Sequence, residues 1–233
     1  MQRYFAKNDK LELEDSDYHH IKNVMRMKQN DIIEVIYDES IYTCKLTNVK
    51  DISFEIIKKE TLNINGPKII VAFSLLKEQK LDYLFQKTTE IGAYKFIPLM
   101  TKRSIIKFDK KDEQKKIVRW NKIIKEASEQ SFRAYIPTID NVIDIKYLAN
   151  QNADLKILFT VNEKSKNIKK VLQNCDKCDT ILIVVGPEGG FDKTEEEYLI
   201  NNGFISTTLG DTVLRAETAP VVALGMINYE FMR

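Results

Sequence analysis

The feature that most constrains the fold is an unbroken apolar run, ILIVV at 181–185, which passes directly into a glycine-rich turn, GPEGGF at 186–191. A run without polar alternation is typical of a strand buried on both faces of a parallel sheet. A second loop, LGDTVLRAET at 209–218, also follows a strand pattern and leads into an apolar helix pattern. Because parallel sheets bind ligands at the carboxyl ends of their strands, the two loops predict one small-molecule site.

Most of the chain after residue 66 alternates apolar runs with amphipathic helical patterns, which predicts an α/β domain with a parallel sheet. Strands are predicted over KIIVAFSLL (68–76), KFIPLM (95–100), LKILFTV (155–161), TILIVV (180–185) and GFISTTL (203–209). Helices are predicted over 81–93 with Gly92 at the end, over 114–132, and over 220–232.

The N-terminal part has a different pattern. Short alternating runs between Asp31 and Lys59 predict a β-meander, and His19–Met27 places Ile21, Val24 and Met25 at helical spacing. We therefore expect a small β-barrel that carries a short helix. The turn-rich segment 61–67 ends this pattern, so the predicted domains are 1–66 and 67–233.

Composition favours a cytoplasmic protein. No apolar run approaches the roughly 20 residues that cross a bilayer, and the N-terminus is too polar for a signal peptide. Three cysteines fit a reducing compartment, and Cys175 and Cys178 are expected to be two thiols near a helix end rather than a zinc or redox site. We expect no metal and no membrane contact.

Charge is distributed unevenly. The segments 1–66, 67–135 and 136–233 carry net charges of −2, +8 and −4. A basic excess of this kind attracts a phosphate backbone, although for 110–125 taken alone a solvated helix face is the simpler interpretation.

The GPEGG turn carries the first candidate site residues. Gly186, Gly189 and Gly190 allow close approach of a backbone to a ligand. Asp192 and Glu195 are expected to form a capping box on the next helix, and these carboxylates with Glu188 would repel a phosphate. The turn therefore suits a neutral or cationic ligand such as S-adenosylmethionine, and a tight turn with a capped helix is the alternative.

The second loop places Arg215 and Glu217 at the same predicted ligand edge. Two ionisable side chains in such a loop favour a role in binding or catalysis. An ion pair between them, or with Glu188, is the structural alternative.

Both loops together resemble the SPOUT superfamily of RNA methyltransferases, and within it the RsmE family, whose members methylate N3 of a uridine in small-subunit ribosomal RNA. Similar segments are FQKTTEIGAYKFIPLMTKRS (85–104), KEASEQSFRAYIPTI (125–139) and HHIKNVMRMKQNDIIEV (19–35), the last with Asn30 where the family usually has glycine. The resemblance implies a PUA-like β-barrel that grips RNA, followed by an α/β domain with a C-terminal trefoil knot. It also implies S-adenosylmethionine as the cofactor, small-subunit ribosomal RNA or the assembled 30S subunit as the partner, and a homodimer built on the last helix, Pro220–Met232.

The resemblance also implies roles for individual residues. Glu217, or else Glu188, would accept the N3 proton, and Arg215 would stabilise the uracil oxygens. The expected cofactor contacts are Thr160, Val185, Gly186, Pro187, Glu188, Gly189, Gly190, Leu209, Gly210, Val213 and Leu214. The expected RNA contacts are Arg26, Lys102, Arg103, Gln130 and Arg133, with a helix-end network as the alternative role for the last two. Two other functions stay open: a non-catalytic RNA-binding assembly factor, and a SPOUT methyltransferase that acts on another RNA.

Overall fold

Residues 1–62, 66–106, 108–175 and 177–231 are described by the computed structural model of the chain. They divide into two compact units: Met1–Asn65 together with Ser128–Ile136, and Gly66–Ala127 together with Pro137–Arg233. The sequence prediction placed 128–136 in the second domain. The structure places them in the first unit, where the Arg3 guanidinium donates hydrogen bonds to the carbonyls of Phe132 and Arg133.

The first unit contains a four-stranded sheet in the order β1-β2-β3-β4. Its strands are β1 (Gln2–Phe5), β2 (Ile32–Tyr37), β3 (Ser40–Asn48) and β4 (Ser53–Thr61). The pairs β2–β3 and β3–β4 are antiparallel, which confirms the predicted meander, whereas β1 pairs with β2 in parallel and was not predicted. Asp38 and Glu39 have φ values of 44° and 55° in the turn between β2 and β3, as a tight two-residue hairpin turn requires.

The helix of this unit differs from the prediction in position and geometry. Helix α1 (Asp15–His19) starts earlier than expected and continues as a π-helical turn at His20–Val24. Ile21 is buried, whereas Val24 and Met25 are exposed by 59% and 40%.

The second unit contains a seven-stranded parallel sheet, which confirms the predicted α/β class with a parallel sheet. The strand order is β11-β9-β10-β5-β6-β7, and β8 also pairs with β6. The strands are β5 (Lys68–Ser74), β6 (Ala93–Met100), β7 (Thr138–Ile139), β8 (Ile143–Asp144), β9 (Leu155–Phe159), β10 (Thr180–Val185) and β11 (Ile205–Thr207). The sequence analysis missed β7 and β8, because two residues are too few to show a period.

Helices connect and cover these strands. They are α2 (Glu78–Ile91), α3 (Glu113–Gln130), α4 (Ile145–Ala149), α5 (Ile168–Gln173), α6 (Lys193–Asn201) and α7 (Ala219–Phe231). Gly92 ends α2 as predicted, with φ 123° and an N–H that donates to the carbonyls of Thr88 and Thr89. Helix α3 ends two residues before the predicted Phe132, which has φ 54°, and Met232 lies outside the described residues.

Aromatic packing anchors α2 and α3 on the sheet. The rings of Phe73, Phe85 and Phe96 meet edge to face, with centroids 5.1–6.4 Å apart, and Trp120 of α3 lies 5.5 Å from Phe85. Burial of such rings contributes a large apolar area and favours one packing arrangement. These contacts pack α2 against β5 and β6, and α3 against α2.

Cys175 and Cys178 lie next to each other just after α5. Their Cα atoms lie 6.1 Å apart, within the range that a disulfide spans. The third cysteine, Cys44, is free and buried, and burial raises the pKa of its thiol to about 11.

Candidate active site

Three neighbouring parallel strands bring the predicted ligand segments to one edge of the sheet. Thr207 of β11 is in register with Phe159 of β9, which is in register with Val185 of β10. The residues that follow these positions are Thr208, Thr160 and Gly186, and the Thr160 N–H donates to the carbonyl of Thr207 at 3.2 Å. The strand order therefore places the GPEGG turn, Thr160 and the loop after residue 208 side by side.

The conformation of the GPEGG turn depends on two of its glycines. A Cβ atom on Gly186 would lie 3.0 Å from Cδ2 of Phe191 and 3.2 Å from its backbone nitrogen, closer than carbon atoms normally pack. Gly190 has φ 67°, and its N–H donates to the carbonyl of Pro187 at 2.9 Å. Because Phe191 is only 2% exposed, its ring fixes the turn against the core.

The predicted capping box at the start of α6 is confirmed. The Asp192 carboxylate accepts from the backbone N–H of Thr194, and the Glu195 carboxylate accepts from the N–H of Asp192 at 3.0 Å. Hydrogen bonds from the side chain and backbone of Thr194 lower the pKa of Asp192 to about 2. The acidic residues Glu195 and Glu196 lie in the first turn of α6, where they disfavour an anion at this turn.

Lys102 and Arg103, which were predicted to contact RNA, lie beside this turn. The Lys102 N–H donates to Glu195 Oε1 at 2.9 Å and its ammonium donates to Thr194 Oγ1 at 2.6 Å. Arg103 Nη1 donates to the carbonyl of Gly189 at 3.2 Å. Both side chains remain exposed, so contacts with the protein occupy only part of their hydrogen-bonding capacity.

The second loop presents Arg215 and Glu217 very differently. Arg215 is exposed, and among the described residues no hydrogen bond or ion pair to its guanidinium is found. Glu217 is only 8% exposed, and its Oε2 atom has no hydrogen-bond partner among the described residues. The ion pair between Arg215 and a carboxylate that the sequence left open is therefore absent from the described part of the chain.

Lys80, which the sequence analysis missed, lies between the two loops. Its Nζ atom is 2.8 Å from Glu188 Oε1 and 3.3 Å from Glu217 Oε2, the second contact being an ion pair without hydrogen-bond alignment. Lys80 lies in the first turn of α2, which follows β5, and β5 neighbours β10 in the sheet. Its place near the glycine turn therefore depends on the strand order, which the sequence pattern does not give.

The contact between Lys80 and Glu188 changes the pKa of both side chains. The hydrogen bond to Glu188 raises the pKa of Lys80, so its ammonium stays charged at neutral pH. Partial burial alone would raise the pKa of Glu188, but the hydrogen bond from Lys80 and a backbone N–H outweigh it, and the net direction is downward. Glu188 is therefore a poor proton acceptor at neutral pH.

The remaining predicted cofactor residues are exposed at this edge to different extents. Val185, Gly186 and Pro187 are buried, Leu209 and Leu214 are half-buried, and Gly210 and Val213 are exposed, Val213 by 78%. The Thr160 hydroxyl donates to Glu196 Oε1 at 2.6 Å, which leaves mainly backbone groups of Thr160 for a ligand.

Three of the predicted RNA contacts belong to the first unit. Arg26 is exposed with φ 50°, and Gln130 is exposed at the end of α3. Arg133 is only 9% exposed, and its guanidinium lies 4.4 Å from the ring centroid of Tyr135. Burial lowers the pKa of Arg133. The assignment of these residues to RNA stays a prediction.

The described residues contain no group of three or more His, Cys, Asp or Glu side chains that could hold a metal ion. None of the described helices combines the length and apolar character that a membrane crossing needs.

Comparison with known proteins identifies the class. Residues 64–228 match a family model described as an RNA methyltransferase domain, and residues 13–59 match one described as an RNA methyltransferase PUA domain. The chain is thus an α/β protein of the RNA methyltransferase class with a PUA-like domain at its N-terminus.

More specifically, the chain belongs to the family of ribosomal RNA small subunit methyltransferase E. It is 36% identical to the member from Bacillus subtilis, with 99% of this chain and 97% of the relative covered. It is 34% identical to the member from Mesomycoplasma hyopneumoniae, with 96% and 97% covered.

Solved structures agree with this assignment. A methyltransferase of this name from Neisseria gonorrhoeae, bound to S-adenosylmethionine, matches with a TM-score of 0.88 at 25% identity over 98% of this chain and 97% of the other. A putative methyltransferase from Legionella pneumophila in complex with the same cofactor matches with a TM-score of 0.88 at 27% identity over 97% and 96%.

Proposed function

We propose that this chain transfers a methyl group from S-adenosylmethionine to N3 of a uridine in small-subunit ribosomal RNA. Membership of the family makes it an S-adenosylmethionine-dependent ribosomal RNA methyltransferase. The uridine N3 target and the roles of individual residues are the proposed parts. The main support is the arrangement at one sheet edge of an exposed Arg215, without an ion pair among the described residues, and a buried Glu217 beside the glycine turn.

The residues present fit the cofactor. When bound, S-adenosylmethionine supplies an electrophilic methyl group on a cationic sulfonium. Glu188 and Glu217 share the cation Lys80, so these three side chains together carry one net negative charge, which suits a cationic ligand. Apart from the adjacent residues in the chain, no atom of the described residues lies within 4 Å of the position of a Cβ on Gly190 or Gly210, so a ligand can approach the backbone there. The chain would hold the cofactor through backbone groups of Thr160, Val185, Gly186, Pro187, Gly189, Gly190, Leu209, Gly210, Val213 and Leu214.

The chain's own residues must handle the acceptor. Uridine N3 carries a proton at neutral pH, so a base or a group that stabilises negative charge on the uracil oxygens is required. Glu217 accepts this proton, and Arg215 donates hydrogen bonds to the uracil oxygens. Glu188 ranks below Glu217 as the base, because Lys80 donates a hydrogen bond to Glu188 at 2.8 Å, whereas its contact with Glu217 is longer, at 3.3 Å, and lacks hydrogen-bond alignment.

The two domains have different roles in RNA binding and methyl transfer. Residues 1–66, with the segment 128–136 that packs in the same unit, form the PUA-like barrel that grips RNA, and the rest of 67–233 forms the methyltransferase domain with a C-terminal trefoil knot. Arg26, Lys102, Arg103, Gln130 and Arg133 contact the RNA. The exposed positions of Arg26, Lys102 and Arg103 support this, and the burial of Arg133 gives it the weakest support of the five.

The active form is a cytoplasmic homodimer with α7 in its interface. Leu224 and Ile227 of α7 are buried within their own unit, so they do not serve a partner. Met226 and Tyr229 are exposed by 38% and 79% on the same helix, and these side chains support a contact with a second copy.

The test uses purified protein, unmodified small-subunit RNA as naked transcript and as assembled subunit, and isotope-labelled methyl donor. Mass spectrometry of the digested RNA should place the methyl group on N3 of one uridine. Methylation at another atom or of another base would refute the target. Glu217→Gln should reduce kcat strongly near neutral pH, whereas Glu197→Gln, an exposed change on α6, should not. Unchanged activity of Glu217→Gln across pH would refute the base role.

A further inference from the structure

Lys80 forms ion pairs with two carboxylates of the candidate site, although no role has been assigned to Lys80 itself. Its ammonium touches Glu188 of the glycine turn and Glu217 of the second loop, although these lie 108 and 137 positions away in the chain. The Lys80 and Glu188 side chains are 29% and 31% exposed, and that of Glu217 is 11% exposed. One cation thus links two segments that a ligand at this edge would contact.

We infer that Lys80 is a positioning residue, which ties the glycine turn to the loop after β11 and so holds both in the form that binds S-adenosylmethionine. This inference rests on the proposed function. It assigns Lys80 no contact with the reacting atoms.

The buried carboxylate of Glu217 explains why a cation is needed. A charge out of water is costly unless it is paired or hydrogen-bonded. Glu217 Oε2 has no hydrogen-bond partner among the described residues, so the ion pair with Lys80 is its main compensation. If Lys80 is removed, the loop is expected to move until Glu217 reaches water.

The two carboxylates depend on Lys80 to different degrees. Lys77, one turn earlier in the chain, also acts on Glu188 and lowers its pKa. The structure gives Glu217 no second cation among the described ion pairs. Loss of Lys80 should therefore disturb the loop after β11 more than the glycine turn.

The test measures binding of S-adenosylmethionine by calorimetry rather than activity. Lys80→Met should weaken binding about tenfold or more near neutral pH, as expected when a partly buried pair is broken. Lys80→Arg, which keeps the charge, should retain most of the affinity.

Two further variants separate positioning from general destabilisation. Lys87→Met is the matched control, since Lys87 lies on the same helix and pairs only with Glu90 three residues away among the described contacts. Lys87→Met should leave the affinity for S-adenosylmethionine unchanged. The double variant Lys80→Met with Glu217→Gln should bind S-adenosylmethionine more tightly than Lys80→Met alone, since no unpaired charge is left. If Lys80→Met does not fold, the double variant should fold and bind.

Equal affinity of Lys80→Met and the natural protein at all pH values would overturn the inference. Failure of the double variant to recover binding would overturn it too. If the natural protein itself bound no S-adenosylmethionine, the proposed function would fail, which is a different result.

Discussion

Replacement of Gly186 by alanine tests whether the glycine turn is fixed by close packing. The added Cβ would lie 3.0 and 3.1 Å from two ring carbons of Phe191 and 3.2 Å from its backbone nitrogen. The Phe191 ring cannot turn away easily, because it is 2% exposed and packs in the core with Leu99, Leu182 and Val184. The turn itself must therefore shift by a few tenths of an ångström.

Overpacking of this kind costs about 1–3 kcal/mol in the free energy of unfolding. For a domain of this size each kcal/mol lowers Tm by about 2–4 °C, so thermal unfolding should detect the change. The displaced turn should also bind S-adenosylmethionine about tenfold more weakly in calorimetry, since small errors of position are costly in a preorganised site.

Gly189→Ala is the matched control in the same turn. Its Cβ would lie 3.7 Å from Cβ of Arg103, an ordinary contact, and Gly189 has no positive φ. Its stability should stay within about 0.5 kcal/mol of the natural protein. If Gly186→Ala were as stable as Gly189→Ala, the role of Phe191 in fixing the turn would be wrong.

Three further predictions concern stability and RNA binding. Arg3→Met should cost about 3–5 kcal/mol in denaturant unfolding, because it leaves the Glu34 carboxylate buried without its partner at 2.7 Å; the double change with Glu34→Gln should cost less. Asp192→Asn keeps an oxygen for the helix cap but cannot titrate. Since the pKa of Asp192 falls from its ordinary 3.8 to about 2, its contribution is full above pH 3.8 and lost as pH falls through about 2, and the Tm difference between the two proteins should shrink over that window. Arg26→Ala should weaken binding to small-subunit RNA and reduce the slope of log affinity against log salt by about 1, and an unchanged slope would exclude a phosphate contact.

Local patterns predicted the elements of the fold well where they were long. The four long strands of the parallel sheet (β5, β6, β9 and β10), α2 with its end at Gly92, and the capping box of α6 each follow from periodicity or from a short-range motif. The errors lie where local patterns carry little information. The π turn at His20–Val24 has no sequence signal, and β7 and β8 are each two residues long, which is too short to show a period.

The assignment of Ser128–Ile136 to the first unit shows a second kind of limit. Nothing in that segment's own pattern separates it from α3. Its place depends on hydrogen bonds from Arg3 to the carbonyls of Phe132 and Arg133, which lie 129 and 130 positions away in the chain. Contacts over such separations depend on the packed structure, and periodicity does not encode them.

The amino-acid sequence by itself determined the apolar strands, the glycine-rich turn, and the polar loop that carries Arg215 and Glu217, since each depends on neighbouring residues. Tertiary structure alone decided that Glu217 is buried, that Arg215 is free of ion pairs in the described chain, and that Lys80 joins the two loops. The reason is geometric: strand order brings β5, β9, β10 and β11 together, and a side chain's partner across the sheet edge depends on that order rather than on its neighbours in sequence.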